Sequence, residues 1–231
     1  MEFELCTDNY NAVLYASNHN FKRVELCTAL DLGGLTPNFG LIQKSCEIPN
    51  IESHIIIRPR AGNFNYSKEE FEEMQIDIEK SIDLGASGIV IGILDSNNEI
   101  DMERNSLLLE IAKKSNIEAS FHRAFDFCPN YQNSLDQLIE LGFGRVLSSG
   151  QKSKAIEGIE KLGKMVDYAN GKIEIMAGSG INHLNAKAIS GIGVSALHFT
   201  ARKEKSKIDP FNMGLEYDID KDKIQSILKA L

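Results

Sequence analysis

The stretch Ser120-Phe121-His122-Arg123-Ala124-Phe125-Asp126 decides how this chain is read. It follows Ile117-Glu118-Ala119, which has the pattern of a short buried strand. His122, Arg123 and Asp126 stand where that strand hands over to a loop. A buried ion pair and one satisfied histidine would account for a single such case. Six other strand-like runs end in the same manner, in Glu, Cys, Arg, Asp, Ser-Gly or His-Thr. The recurrence points to strands whose ends share one opening.

Working outward, eight strand-like runs lie at 3–7, 23–27, 54–58, 88–94, 118–122, 145–148, 173–177 and 196–200. Ile55-Ile56-Ile57 is continuous and β-branched, as in a strand covered on both faces. Helical patterns fall between them, at 9–17, 38–46, 67–84, 101–115, 133–141, 153–169, 183–189 and 221–231. Ser67 and Glu70 have capping-box spacing, and Gly85 and Gly142 act as stops. Strand starts are 20 to 34 residues apart, the length of one strand-loop-helix-loop unit. Such alternation forces parallel pairing through right-handed crossovers. Eight units in 231 residues predict an α/β fold, a single (β/α)8 TIM barrel over residues 1–231. An open doubly wound sheet fits less well, because the first strand has no GxGxxG turn into its helix.

Composition narrows the function. The chain is 42% hydrophobic and 25% charged with a formal charge of -8, ordinary for a globular domain with a full core. No Lys/Arg-rich stripe offers a nucleic-acid partner. Apolar runs such as 88–94 are far too short to span a bilayer, and the first residues show no secretory leader. The four cysteines, at 6, 27, 46 and 128, lack CxxC spacing, so free thiols in a reducing cytoplasm are expected.

In a barrel the C-terminal strand ends converge on one mouth. They would bring together Glu4, Cys6, Glu25, Cys27, Arg58, Arg60, Asp95, His122, Arg123, Asp126, Ser148, Ser149, His198 and Thr200. Glu4-Leu5-Cys6 and Glu25-Leu26-Cys27 each put a carboxylate and a thiol on one strand face. Two soft thiolates suit Cu(I) or Zn(II), and a pair can hold Cu(I) linearly. Buried structural cysteines, and an ion network of Glu4, Glu25 and Arg58, are the plain alternatives. Cys46, in a helix, and Cys128, in a loop, stay outside this set.

Gly178-Ser179-Gly180 and Thr200-Ala201-Arg202 follow the last two strands, where many barrels hold an anion. Tight βα turns would also require such glycines. Arg58, Arg60 and Arg123 are planar forks for an anion, with Glu25 or His122 as acid or base and Asp126 beside them. That set would make an enzyme on a small anionic substrate, phosphorylated or not. The 201–217 segment, with Lys203, Lys205 and Lys207, is either a lid or a solvated loop.

Arg23-Val24-Glu25-Leu26-Cys27, Ile57-Arg58-Pro59-Arg60-Ala61-Gly62 and Phe121-His122-Arg123-Ala124-Phe125-Asp126 resemble signatures of the CutC copper homeostasis family. So do Ser148-Ser149-Gly150, Gly178-Ser179-Gly180-Ile181 and His198-Phe199-Thr200-Ala201-Arg202, in the family's order, over residues 1–202. Ser148-Ser149-Gly150 departs from a more usual Thr-Ser-Gly, and residues 28–31 vary. The resemblance implies a cytoplasmic (β/α)8 barrel linked to copper tolerance, with Cu(I) as the bound ion and Cys6 and Cys27 as its ligands. A homo-oligomer is compatible with it.

Overall fold

The computed structural model describes residues 1–205, 211 and 214–231. Strands β1 (Glu2–Thr7), β2 (Arg23–Leu26), β3 (Glu52–Ile56) and β4 (Gly88–Ile91) form one half of a closed barrel. β5 (Glu118–Phe121), β6 (Arg145–Ser148), β7 (Glu174–Gly178) and β8 (Ala196–Thr200) form the other. Every neighbouring pair is parallel, and β8 closes on β1 through Glu2↔Ala196 to Cys6↔Thr200. The (β/α)8 expectation therefore holds.

Helices α1 (Tyr10–Ser17), α2 (Phe39–Cys46), α3 (Lys68–Asp83) and α4 (Met102–Lys114) pack outside, followed by α5 (Tyr131–Leu141), α6 (Ile159–Ala169), α7 (Ala186–Ser190) and α8 (Lys221–Lys229). Their starts are read locally. Asn9, Asp101, Asn130 and Asp220 accept first-turn amides, and Ser67 with Glu70 makes a reciprocal box. Leu5, Val24, Ile55, Ile89, Phe121, Val146 and Leu197 face these helices and are fully buried.

Several boundaries differ from expectation. α6 begins at Ile159, not at 153, because Ala155 N donates to Ser179 O and Ser179 Oγ to Ser153 O, which pins the preceding turns to the β7 loop. β4 stops at Ile91; Leu94 instead bridges Ile100 in antiparallel fashion. Arg123–Phe127 is a 3-10 turn, with His122 as its cap. The 201–217 segment is not irregular at its ends, since β9 (Arg202–Glu204) pairs antiparallel with β10 (Tyr217–Ile219). The middle of that segment, Lys207 included, lies outside the described residues.

Alternate strand residues point at the barrel axis and stack in layers of four. The N-terminal rim carries Glu2, Glu52, Glu118 and Glu174 from the odd strands. Arg23 and Arg145 lie above it on β2 and β6, with Gly88 and Ala196 leaving room on β4 and β8. Arg23 donates to Glu2 at 2.7 Å and to Glu4 at 2.9 Å; Arg145 donates to Glu174 at 2.8 Å and to Ser120 Oγ at 3.1 Å. The next layer holds Glu4, His54, Ser120 and Met176. A Cβ on Gly88 would stand 2.6 Å from the His54 ring, so only glycine admits that imidazole. Gly88→Ala is expected to cost about 1–3 kcal/mol in urea unfolding through overpacking. A Gly88→Ala/His54→Ala double variant should lose less than the sum of the two single changes.

Candidate functional site

The upper layers form a cavity of about 400 Å³ at the C-terminal mouth. Cys6, Glu25, Arg58, His122, Arg123, Ser179, Gly180, His198 and Thr200 all line it, as the converging strand ends predict. Leu30, Ile56, Phe64, Leu147 and Phe199 supply apolar wall.

At its base Cys6 Sγ donates to Glu25 Oε1 at 3.2 Å and lies 3.8 Å from Cys27 Sγ. Cys27 is fully buried beneath the wall, packed with Cys6, Ile56 and Val90, and its thiol also meets Thr7 O at 3.5 Å. His198 Nε2 is 3.9 Å from Glu25 Oε1, and its Nδ1 is 2.7 Å from Glu4 Oε1. One ligand atom each from Cys6, Glu25 and His198 falls within 4.8 Å of the others. This is a thiol-carboxylate-imidazole cluster with a second thiol in contact. Glu25 and His198 enter it as neighbours of the thiols, a role their types alone did not reveal. Registry explains it, since Cys6 pairs with Glu25 on β2 and with Thr200 on β8.

Charge in the cluster is set by its neighbours. Burial works to neutralise Glu4, but the His198 hydrogen bond and the charges of His198, His54 and Arg23 hold its carboxyl down at about 2. Burial likewise opposes a charged His198, and Glu25, Cys6 and Glu4 outweigh it, so its imidazolium persists well above the usual histidine range. Glu25 is pushed up, by burial first and then by Glu4, and its Oε2 has no partner. The hydrogen bond with Cys27, then burial, hold the Cys6 thiol well above its ordinary value.

His122 has a different setting. Its Nδ1 accepts from Ala124 N at 3.2 Å, which leaves the proton on Nε2, a buried donor with no partner. The ring lies 4.9 Å from that of Phe64, and Gly92 stays glycine because a Cβ there would come within 2.5 Å of it. Burial, then the charge of Arg58, lower its pKa to about 3. Arg58 itself is spent on structure: it donates to the carbonyls of Leu32, Gly34 and Gly62.

Other expected site residues are engaged elsewhere. Arg60 turns away to Glu70 and the carbonyls of Ala61, Asn63 and Asn65. Arg202 is held by Asp8 and Asp31 and lies over the Tyr217 ring. Neither lines the cavity. Asp126 accepts from Arg123 Nε, both serines 148 and 149, and Gln151 N, so it orders the loop after β6. Ser149 is fully buried in that network. Gly178 lies within β7, level with His198 on β8. Asp95 accepts the amides of Asn97 and Glu99 in its own turn. Lys223, from α8, was not anticipated; it reaches the mouth from a helix far along the chain.

A closed (β/α)8 barrel whose mouth gathers two thiols, a carboxylate and an imidazole defines a barrel protein with a metal-competent centre. The chain matches the CutC family over residues 1–203, and it belongs to that family. It is 41% identical over 242 residues to a CutC family protein of Glaesserella parasuis serovar 5 (strain SH0165), covering 100% of this chain and 99% of that one. A CutC family protein of Pasteurella multocida (strain Pm70) is 40% identical over 213 residues, 92% of this chain and 86% of its own. The crystal structure of a CutC protein from Streptococcus agalactiae, assigned only provisionally to copper homeostasis, superposes with a TM-score of 0.81 at 36% identity, covering 86% of this chain and 98% of that one. Among the described residues no helix is long and apolar enough to cross a membrane.

The histidines carry a pH signature. An unfolded histidine takes its proton near 6.5, whereas His122 refuses it down to about 3. Its contribution is therefore complete above pH 6.5 and is lost progressively as pH falls toward 3. His122→Gln should reduce the fall in stability with acid by up to about 1.4 kcal/mol per pH unit in that window, measured by urea unfolding at stepped pH.

Proposed function

We propose that this protein binds Cu(I) at the barrel mouth through Cys6 and Cys27 and buffers or delivers it in the cytoplasm. The observation that carries the reading is the pair of thiols 3.8 Å apart on adjacent strands, flanked by an imidazole whose far nitrogen is fixed by a buried carboxylate. Soft thiolates favour Cu(I), and imidazole is an acceptable third donor. The donor set fits the ion. Cys6 and Cys27 would hold it, His198 Nε2 would complete the set, and Glu4 on Nδ1 would orient the ring. The copper here is cargo, and its charge would replace protons. The Cys6 thiol and the His198 imidazolium both keep their protons in the empty cluster, so uptake displaces them and affinity rises with pH.

Membership of the CutC family, one solved relative of which is provisionally described as a copper homeostasis protein, supports the same reading. Titration with Cu(I) under reducing conditions against a competing chelator tests it. The wild-type chain should take up one ion tightly, and Cys6→Ser and Cys27→Ser should each abolish that uptake. Glu4→Gln should weaken it by about 10–100-fold, the usual effect of losing a ligand's orienting partner. Tight uptake that survives both serine variants would overturn the assignment.

A further inference from the structure

A cavity of about 400 Å³ is far larger than one metal ion requires. Beyond the thiols it holds groups that a two-thiolate carrier leaves idle. His122 Nε2 is a buried donor with no partner, and Glu25 Oε2 a buried oxygen with none. Both residues are only 4% exposed, so the cavity is the place where their polar atoms can be satisfied.

A second set lies toward the rim. Arg123 spends Nε on Asp126 and Nη2 on Ser149 and Lys152 O, and no described residue takes its Nη1. Lys223 lines the cavity with no ion-pair partner among the described residues, its Asp220 neighbour being occupied as the α8 cap. Ser179 and Gly180 both have left-handed backbones, with φ of 78° and 72°. The amides of Gly180 and Ile181 find no acceptor among the described residues. Within a chain of formal charge -8 this is a local concentration of positive potential in a concave, partly apolar site.

We propose that the cavity binds a small hydroxylated phosphomonoester, its phosphate held by Arg123, Lys223 and the Gly180 and Ile181 amides, and its hydroxyl end directed at His122 Nε2 and Glu25 Oε2. Two cations and two amides suit a dianion better than a monoanionic carboxylate. The opposite end offers one donor and one acceptor, the complement of a hydroxyl. Ile56, Phe64 and Leu147 supply the apolar wall between the two ends. Arg58 lines the same space with Nη1 and Nη2 anchored on the carbonyls of Leu32, Gly34 and Gly62, and its buried Nε has no partner, so it adds positive charge to the wall rather than a free fork. The inference stands apart from copper binding, since no thiol is used.

Metal-free full-length protein would be melted and titrated calorimetrically with ribose 5-phosphate, glycerol 3-phosphate and glucose 6-phosphate. Ribose, glycerol and inorganic phosphate serve as controls. At least one ester should raise the melting temperature by about 3 °C or more at ten times its dissociation constant. Lys223→Met, which keeps the helix and its cap, should weaken that ester about tenfold or more, and His122→Gln should weaken it while leaving the response to inorganic phosphate unchanged. Cys27→Ser should bind the ester as the wild type does, which separates this result from the fate of the copper reading. Failure of all three esters, equal response to inorganic phosphate, or full binding by Lys223→Met would each overturn the proposal.

Discussion

One buried carboxylate organises this barrel. Glu4 is wholly excluded from solvent, and its two oxygens take different partners. One takes Arg23 Nε at 2.9 Å from the floor layer; the other takes His198 Nδ1 at 2.7 Å from the mouth layer. Burial alone would neutralise it, and the surrounding cations keep it ionised. In return, with Glu2 beside Arg23 and Glu25 beside His198, it compensates an arginine and an imidazolium held in a low-dielectric interior. β1 carries Glu4, β2 carries Arg23 and β8 carries His198, so the same contacts stitch the seam where the barrel closes. Closure of the fold and poise of the site are one interaction seen from two ends.

The interior around that seam is asymmetric. Many barrels fill their axis with branched aliphatic residues. Here the lower layers carry most of the charge, and the interior above the N-terminal rim divides into two faces. Cys6 and Cys27 cluster with Ile56 and Val90 on one side, while Leu147, Met176 and Ala196 make an apolar patch on the other. Donor atoms are thereby sorted onto β1, β2 and β8, and His122 is isolated across the cavity beside Phe64. The sorting gives each protonation state a distinct physical cause: oppositely charged neighbours for Glu4 and His198, exclusion of water reinforced by the Arg58 charge for His122.

Much of this was legible in the linear chain. Strand spacing and β-branched runs specify the barrel because period and length are local properties. The Glu-Leu-Cys repeats place their side chains on one face for the same reason. What could not be read is how far a long side chain travels. Arg60 and Arg202 sit at strand ends, yet each is captured by a carboxylate on another element, Glu70 and Asp31. Asp126 is drawn into a serine and amide cage for similar reasons. Glu25 and His198 join the thiols through strand registry, which no periodicity encodes. Lys223 reaches the mouth from a last helix that packs against α1, where Gln225 Nε2 donates to the Tyr15 hydroxyl and Lys221 lies over the same ring, a contact with no trace in neighbouring residues. Helix α6 was overextended because hydrogen bonds to the β7 loop outcompete local helix propensity over 153–158.

The link between Glu4 and His198 spans 194 residues. A growing polypeptide therefore exposes its first strand, with an acidic side chain destined for the interior, until nearly all of the remaining units have been made. Long-range closure of this kind is entropically slow. The unpaired β1 edge would meanwhile be the surface most in need of a chaperone's cover, and the final stitching of the ring would be a late, cooperative event in biogenesis rather than the docking of a finished half onto another.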